Sequence, residues 1–366
     1  MQALPLPAGI RSRFVEGVND LRVHVLEAGD PSAPGLLLLH GFPELAYSWR
    51  KVMLPLAAAG YHVMAPDQRG YGRTTGWDPD YDGDLASYHP LNLARDAFGL
   101  VRALGHDDVH LVGHDFGSIL AAWCALLRPD VFRSVAVMSA PFGGPPGLQP
   151  ASPEKILAEL AALPRPRKHY QAYYCTREAN RDMLECPQGV HAFLRAYFHV
   201  KSADWQANRP HPLAAWSAPE LAKMPTYYIM DLHENMAQTV AHEMPSRAQI
   251  DACRWLPDDE LAVYAAEYSR TGFQGGLQWY RARWTPQLER LLQLYAGRTI
   301  DVPACFISGK SDWGNHQRPG ELEAMGTKVC TDYRGTHLVD GAGHWVQQEQ
   351  PEAVAGLLRD FLAARR

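Results

Sequence analysis

The 366-residue sequence is poor in cysteine, in long apolar runs and in net charge. Its six cysteines (Cys124, Cys175, Cys186, Cys253, Cys305 and Cys330) include no C-x-x-C pair. They are too sparse for a disulfide scaffold and point to free thiols in a reducing compartment, with the cytoplasm as the default location. The longest uninterrupted apolar run, Ile119 to Leu127, has nine residues, whereas a membrane-spanning helix needs about 20. Arg11, Arg13, Glu16 and Asp20 break up the start of the chain, which has no apolar core of the secretory type. With 35 Lys+Arg against 40 Asp+Glu the formal charge is −5. A nucleic-acid partner, which calls for a basic face, is not expected. Metal-ligand spacing is also missing. His106 and His110 are four apart without an H-E-x-x-H pattern, and His242-Glu243 lacks a second histidine. Neither a metal nor a cofactor is expected.

What is present is a folded chain, 46% hydrophobic, with a repeating rhythm. Leu21 to Glu27 alternates apolar and polar residues like a half-buried strand. Leu36 to Leu39, His62 to Ala65, Val109 to Val112 and Ser134 to Met138 are short runs rich in Val and Leu. Each stops at Gly, Pro, Ser or Asp, and an amphipathic stretch follows most of them. This is the βαβ pattern of a mostly parallel central sheet flanked by helices, an α/β fold. The rhythm breaks at Gly143-Gly144-Pro145-Pro146-Gly147, with Pro150 and Pro153 behind it. From there to about Arg298 no buried strand is evident, and several helices joined by proline-containing loops are expected. The strand pattern resumes at Ala304 to Ser308 and Thr336 to Val339, and a last helix is expected from about Pro351. The reading is one core domain, residues 1–145 and 299–366, interrupted by a mainly helical insertion, residues 146–298. The insertion holds ten of the sixteen tyrosines, so an aromatic-lined pocket is expected beneath it.

Gly113-His114-Asp115-Phe116-Gly117 joins a strand to a helix. Small residues on both sides of Asp115 allow a sharp turn that pushes one side chain out of the sheet. The usual occupant of such a turn is Ser. Asp changes the chemistry, because a carboxylate is already ionised at neutral pH and can attack an sp³ carbon to form an alkyl ester. Asp115 is the candidate nucleophile. His40-Gly41-Phe42-Pro43-Glu44 follows an earlier strand, and its turn can aim a backbone N–H into the site. The Phe42 and Phe116 amides are the candidate oxyanion donors, Phe42-Pro43 is a candidate cis bond, and His40 is read as a structural hydrogen-bonder. Asp340-Gly341-Ala342-Gly343-His344-Trp345 supplies His344, the candidate base that activates water. Asp312, after the preceding strand, is the candidate acid that orients it, with Asp340 the spare.

H-G-F-P-E, G-H-D-F-G and G-A-G-H-W together resemble the α/β-hydrolase superfamily and, within it, the epoxide hydrolases. The resemblance runs from about Phe14 to the end and implies the α/β-hydrolase fold with a helical cap. Tyr170-Gln171-Ala172-Tyr173-Tyr174 and Gly272-Phe273-Gln274-Gly275-Gly276-Leu277-Gln278-Trp279-Tyr280 resemble the cap motifs whose tyrosines hold the epoxide oxygen. By position these are Tyr170 and Tyr280, with Tyr173 and Tyr174 as near competitors. The implied substrates are a hydrophobic epoxide and water; a homodimer is left open. The chain departs from many members at Phe116, where Trp is common, and at Ser118, where Gly is common. The first strand is expected near residue 21, which leaves out the phosphatase domain that precedes some mammalian relatives. The rival enzyme is a haloalkyl or haloacid dehalogenase. The Asp–His–Asp machinery would be the same, but Phe42 and Phe116 have no side-chain N–H for a halide. Phe116 and Ile119 also stand where fluoroacetate dehalogenases carry arginines. The other rival is a non-catalytic ligand-binding protein on the same scaffold.

Overall fold

The computed structural model describes residues 3–149 and 153–363; Pro150 of the breaker cluster lies outside them. The described residues form, in chain order, β1 (Arg11–Val18), β2 (Leu21–Ala28), β3 (Gly35–Leu39), β4 (His62–Pro66), β5 (Val109–His114), β6 (Phe132–Met138), β7 (Arg167–His169), β8 (Ile229–Asp231), β9 (Ala304–Gly309) and β10 (Tyr333–Val339). Eight of them make one sheet in the order β1-β2-β4-β3-β5-β6-β9-β10. Pairing is antiparallel for β1 with β2 and β2 with β4, and parallel everywhere else.

The sheet is covered on both faces, and the two-residue period of a strand divides its side chains between them. Leu36, Leu38, Val63, Val112 and Ile307 face one apolar cluster with Val52, Met53 and Leu56 of helix Arg50–Ala58 and Val354 and Leu358 of helix Pro351–Ala363. Leu37, Leu39, Leu111, Val135 and Phe306 face the other, with helices Pro90–Ala103 and Phe116–Leu127. The second cluster continues into the insertion, so the core and the insertion share one apolar interior. All six cysteines are free thiols.

Three expectations change. The first strand is not near residue 21: β1 runs ahead of it, at the sheet edge, from Arg11. Its sequence RSRFVEGV is mostly exposed and charged, as an edge strand is when it must resist pairing with other chains, and this hides it from hydrophobic patterning. With β1 on one side and β4 on the other, β2 is almost fully buried rather than half-buried. The insertion also contains strand structure, the antiparallel pair β7 and β8. Three-residue strands holding Arg, Lys, His and Asp are too short to leave a periodic signal. The expected cap limits, residues 146 and 298, lie in the irregular segments that follow β6 and precede β9.

Candidate active site

The site lies at the C-terminal ends of the central strands. Asp115 follows β5 directly and precedes helix Phe116–Leu127, with φ 53° and ψ −118°. A non-glycine residue in that region is strained and must be held by its surroundings. Its own N–H donates to the Met138 carbonyl at 3.0 Å. The flanking glycines are required by close approach. A Cβ on Gly113 would lie 2.1 Å from the Gly117 carbonyl oxygen, and one on Gly117 would lie 2.1 Å from that of Leu39. Both obstacles are backbone and cannot step aside. Gly113→Ala is therefore expected to lower stability by about 2–3 kcal/mol and to misplace Asp115. A denaturant titration that shows no shift of midpoint would contradict this contact.

Four segments build the surroundings of Asp115. The Phe42 amide, next to a cis Phe42-Pro43 bond, donates to Oδ1 at 2.9 Å. Phe116 opens the helix, so its N–H belongs to the first turn and has no acceptor within the helix. Nε2 of His344 lies 3.4 Å from Oδ2 and makes no hydrogen bond with a described residue. On the far side of the ring, Nδ1 is 3.0 Å from Oδ2 of Asp312. The Asp312 carboxylate also accepts from the Gly314 amide at 2.7 Å and the Ser308 hydroxyl at 3.2 Å. Asp340 is away from the site, paired with Lys310 at the surface.

Tyr170 and Tyr280 border the same small cavity of about 50 Å³ as Asp115, Phe116, Gln317 and Arg283. The competitors of Tyr170 are engaged elsewhere. The Tyr173 hydroxyl donates to Asp182 at 3.1 Å and that of Tyr174 to Tyr197 at 3.1 Å. The Tyr170 hydroxyl donates to Gln317 Oε1 at 3.3 Å and accepts from Gln171 at 3.0 Å. Tyr280 stands edge-on to Phe116, with ring centres 4.5 Å apart. Helix Gln274–Arg283 can bring it there because Gly275 and Gly276 face the core. A Cβ at those positions would lie 2.0 Å from the Gly70 carbonyl oxygen and 2.6 Å from the Phe42 ring.

Electrostatics follow from burial and neighbours. Burial alone would raise the Asp115 carboxyl, but His344, then Lys201 and His114, hold it well below the usual carboxylate range. Burial disfavours a charged His344, yet Asp312 and Asp115 overcome it and bring the imidazole up to about 9. Burial lifts the phenols of Tyr170 and Tyr280, so both keep their protons.

Sequence reasoning gave no role to three residues that frame this site. Lys201 ends helix Gly189–Lys201, is buried, and lies over the rings of Tyr228, Tyr197, Tyr227 and Tyr170 at 4.5–5.7 Å. Burial pushes its ammonium down to about 8 against the attraction of Asp115 and Asp312, and its carbonyl accepts from the His344 amide at 2.8 Å. His114 and Glu44 belong to the motifs themselves. His114 Nδ1 is 2.5 Å from Glu44 Oε2, and its Nε2 is 2.6 Å from the His344 carbonyl. Glu44 also accepts from the Gly41 amide at 3.0 Å and Gln347 at 2.8 Å. This buried carboxylate ties the Phe42 turn, the end of β5 and the His344 loop together. His40 links the same turn to the segment after β4: its Nδ1 is 2.9 Å from the Gly41 carbonyl and its Nε2 accepts from the Gln68 amide at 3.2 Å. His106 and His110 go separate ways, to His62 and to Ser134.

The model of the α/β hydrolase fold family matches residues 34–171. Epoxide hydrolase A of Mycobacterium tuberculosis is 34% identical over 94% of this chain and 95% of its own length. An epoxide hydrolase of Caballeronia sordidicola is 31% identical over 94% and 91%. Among solved structures, an epoxide hydrolase from an endophytic Streptomyces superposes with a TM-score of 0.79 at 30% identity, covering 98% of this chain and 96% of the other. Epoxide hydrolase A from Mycobacterium thermoresistibile gives 0.76 at 34%, covering 97% and 98%. Similarity of this extent spans both the core and the insertion that carries the two tyrosines, and the chain accordingly belongs to the epoxide hydrolases of the α/β hydrolase fold.

Proposed function

We propose that the protein converts an epoxide and water to a vicinal diol through a covalent hydroxyalkyl ester on Asp115. The observation that carries this reading is the pair of protonated phenols, Tyr170 and Tyr280, bordering one cavity with an ionised carboxylate. The epoxide enters between core and cap. The phenols hydrogen-bond its oxygen, and Asp115 attacks a ring carbon from the opposite side. Oδ1 is held by the Phe42 amide, which leaves Oδ2 to form the new C–O bond. As the ring C–O bond breaks, the departing oxygen takes a proton from a tyrosine. His344, oriented by Asp312, then removes a proton from water as that water attacks the ester carbonyl carbon. The oxyanion of the tetrahedral intermediate sits at the Phe42 and Phe116 amides. Its collapse breaks the bond between Asp115 Cγ and the alkyl oxygen, which takes the proton held by His344 and leaves as the diol; the proton left on the Asp115 carboxyl returns to the tyrosinate, and a water oxygen stays in Asp115.

The dehalogenase reading shares every step except the leaving group. It needs side-chain N–H donors for a halide, and the side chains of Phe42 and Phe116 are rings without one. The Trp279 indole, which packs 5.7 Å from Phe116, donates to the Arg69 carbonyl instead. The test is to replace each tyrosine with Phe and follow ester formation by quenched single turnovers. Loss of one donor is expected to slow alkylation by about 10²–10³ and the double change by more, with ester breakdown much less affected. Halide release from haloalkanes, assayed beside diol formation, should stay at background. Halide release that survives both changes would favour the dehalogenase reading.

A further inference from the structure

The small cavity at Asp115 adjoins a larger one of about 600 Å³, and Phe116, Ile119, Arg283, Arg318 and Glu321 line both. Most of the large lobe is apolar: Leu120, Trp123, Phe142, Ile156, Trp279 and Leu292 contribute to its walls. Charge collects where the two spaces join. Arg283 closes helix Gln274–Arg283 one turn beyond Tyr280, so the two side chains leave the helix about 5–6 Å apart. Its guanidinium makes no ion pair within 4.0 Å and no hydrogen bond with a described residue. Arg318 lies 3.7 Å from Glu321 and packs 5.3 Å from the Trp216 ring. Glu321 thus has two arginines to neutralise and one ion pair to offer. Glu289 lines the large lobe but not the junction. His169, also on the wall, adds no charge, since burial and the two arginines push its imidazole down to about 3.

A half-buried guanidinium with no hydrogen bond and no close ion pair among the described residues carries a desolvation cost that an anion would relieve. It faces the space between the oxygen-holding phenols and the apolar lobe. An anionic substrate approaching the Asp115 carboxylate needs such a counter-charge, because two negative groups at that range repel. Phe116 and Ile119, where fluoroacetate dehalogenases carry arginines, offer nothing to an anion. The arginines arrive instead from the cap helix and from the loop after β9.

We propose that Arg283, supported by Arg318, forms a carboxylate-binding subsite, and that the preferred substrates are epoxides bearing a carboxylate a few bonds from the ring and an apolar group that fills the large lobe. The inference rests on the epoxide-hydrolase reading and narrows its hydrophobic substrate to an amphipathic, anionic one. Arg283 and the two phenols would then fix the ring between a held oxygen and a held carboxylate, which restricts the carbon that Asp115 can reach.

The test uses the intact protein with 3-phenylglycidate and its isosteric neutral partner, 3-phenylglycidamide, with styrene oxide as reference. The unaltered enzyme should favour the acid over the amide in kcat/KM by about tenfold to a hundredfold. Arg283→Met should collapse that ratio to one or below, and Arg283→Lys should restore part of it. Arg318→Gln should lower it less. If the variants do not fold, competitive inhibition of the unaltered enzyme by cinnamate against cinnamamide reads the same preference. An amide turned over or bound as well as the acid overturns the subsite, as does a ratio that Arg283→Met leaves in place, while turnover of styrene oxide keeps the epoxide-hydrolase reading standing. Absence of turnover with all three epoxides overturns both.

Discussion

Asp115→Asn should lower diol formation by about four orders of magnitude or more, with no covalent adduct on the protein. The substitution is nearly isosteric. The amide oxygen can still accept from the Phe42 N–H that now reaches Oδ1 at 2.9 Å, and Asn tolerates positive φ better than most residues. The effect therefore reads chemistry rather than collapse of the turn. An amide nitrogen is not a useful nucleophile toward an epoxide carbon, and no other carboxylate borders the small cavity except Glu321, which lies beside Arg318. Circular dichroism and denaturation should show a folded protein, and equilibrium binding of a diol or epoxide analogue should persist. Isotope labelling gives a second readout in the unaltered enzyme. In ¹⁸O water, repeated turnover should place label in Asp115. Label confined to the diol would mean that water attacks the ring directly. Turnover in the Asn variant close to that of the unaltered protein would remove Asp115 from the mechanism. Binding without any turnover in either protein would instead support a non-catalytic receptor on the same scaffold.

The parts of this site that can be read in the sequence are those set by steric necessity. Gly113 and Gly117 are dictated by carbonyl oxygens that leave no room for a side chain, so the turn announces itself. Strands β3 to β6 and β9 are buried on both faces and read as apolar runs with stop signals after them. Lys201 has no comparable signature. It ends an ordinary amphipathic helix, and only packing of the cap reveals that tyrosines surround its ammonium and that it feels the charges of Asp115 and Asp312. Glu44 and His114 were visible as letters of motifs, but their hydrogen bonds join three separate loops, a long-range arrangement that local pattern does not encode. Arg283 and Arg318 meet for the same reason, one from the cap and one from the core. β1 was missed because a charged, exposed edge strand has no hydrophobic period to detect.

His344→Gln should separate the two chemical steps. In the resting site the imidazole is drawn up to about 9 by Asp312 and Asp115, so near neutral pH it carries a proton. A protonated ring cannot serve as a base, but in the proposed reaction it does not need to at that stage, since Asp115 would attack as an anion. Ester formation then removes the Asp115 charge. His344 loses one of the two carboxylates that raised it, while burial and the Lys201 ammonium continue to push it down. Its pKa must fall from the resting value, and the neutral ring becomes available when water has to be activated. The sign follows: ester breakdown should slow as pH falls through this lowered pKa, whereas ester formation should be insensitive there because Asp115 stays ionised. Gln fills similar space and can donate to Asp312, yet it cannot accept the proton of water. One equivalent of an aryl epoxide should therefore add to the Gln variant, raising the intact mass by the mass of the epoxide, and peptide mapping should place the adduct on Asp115. Steady-state diol formation should drop by about 10³ or more. A folded Gln variant that binds the epoxide without accumulating adduct would count against the covalent route, and one that keeps turning over would show that the water is activated by another group.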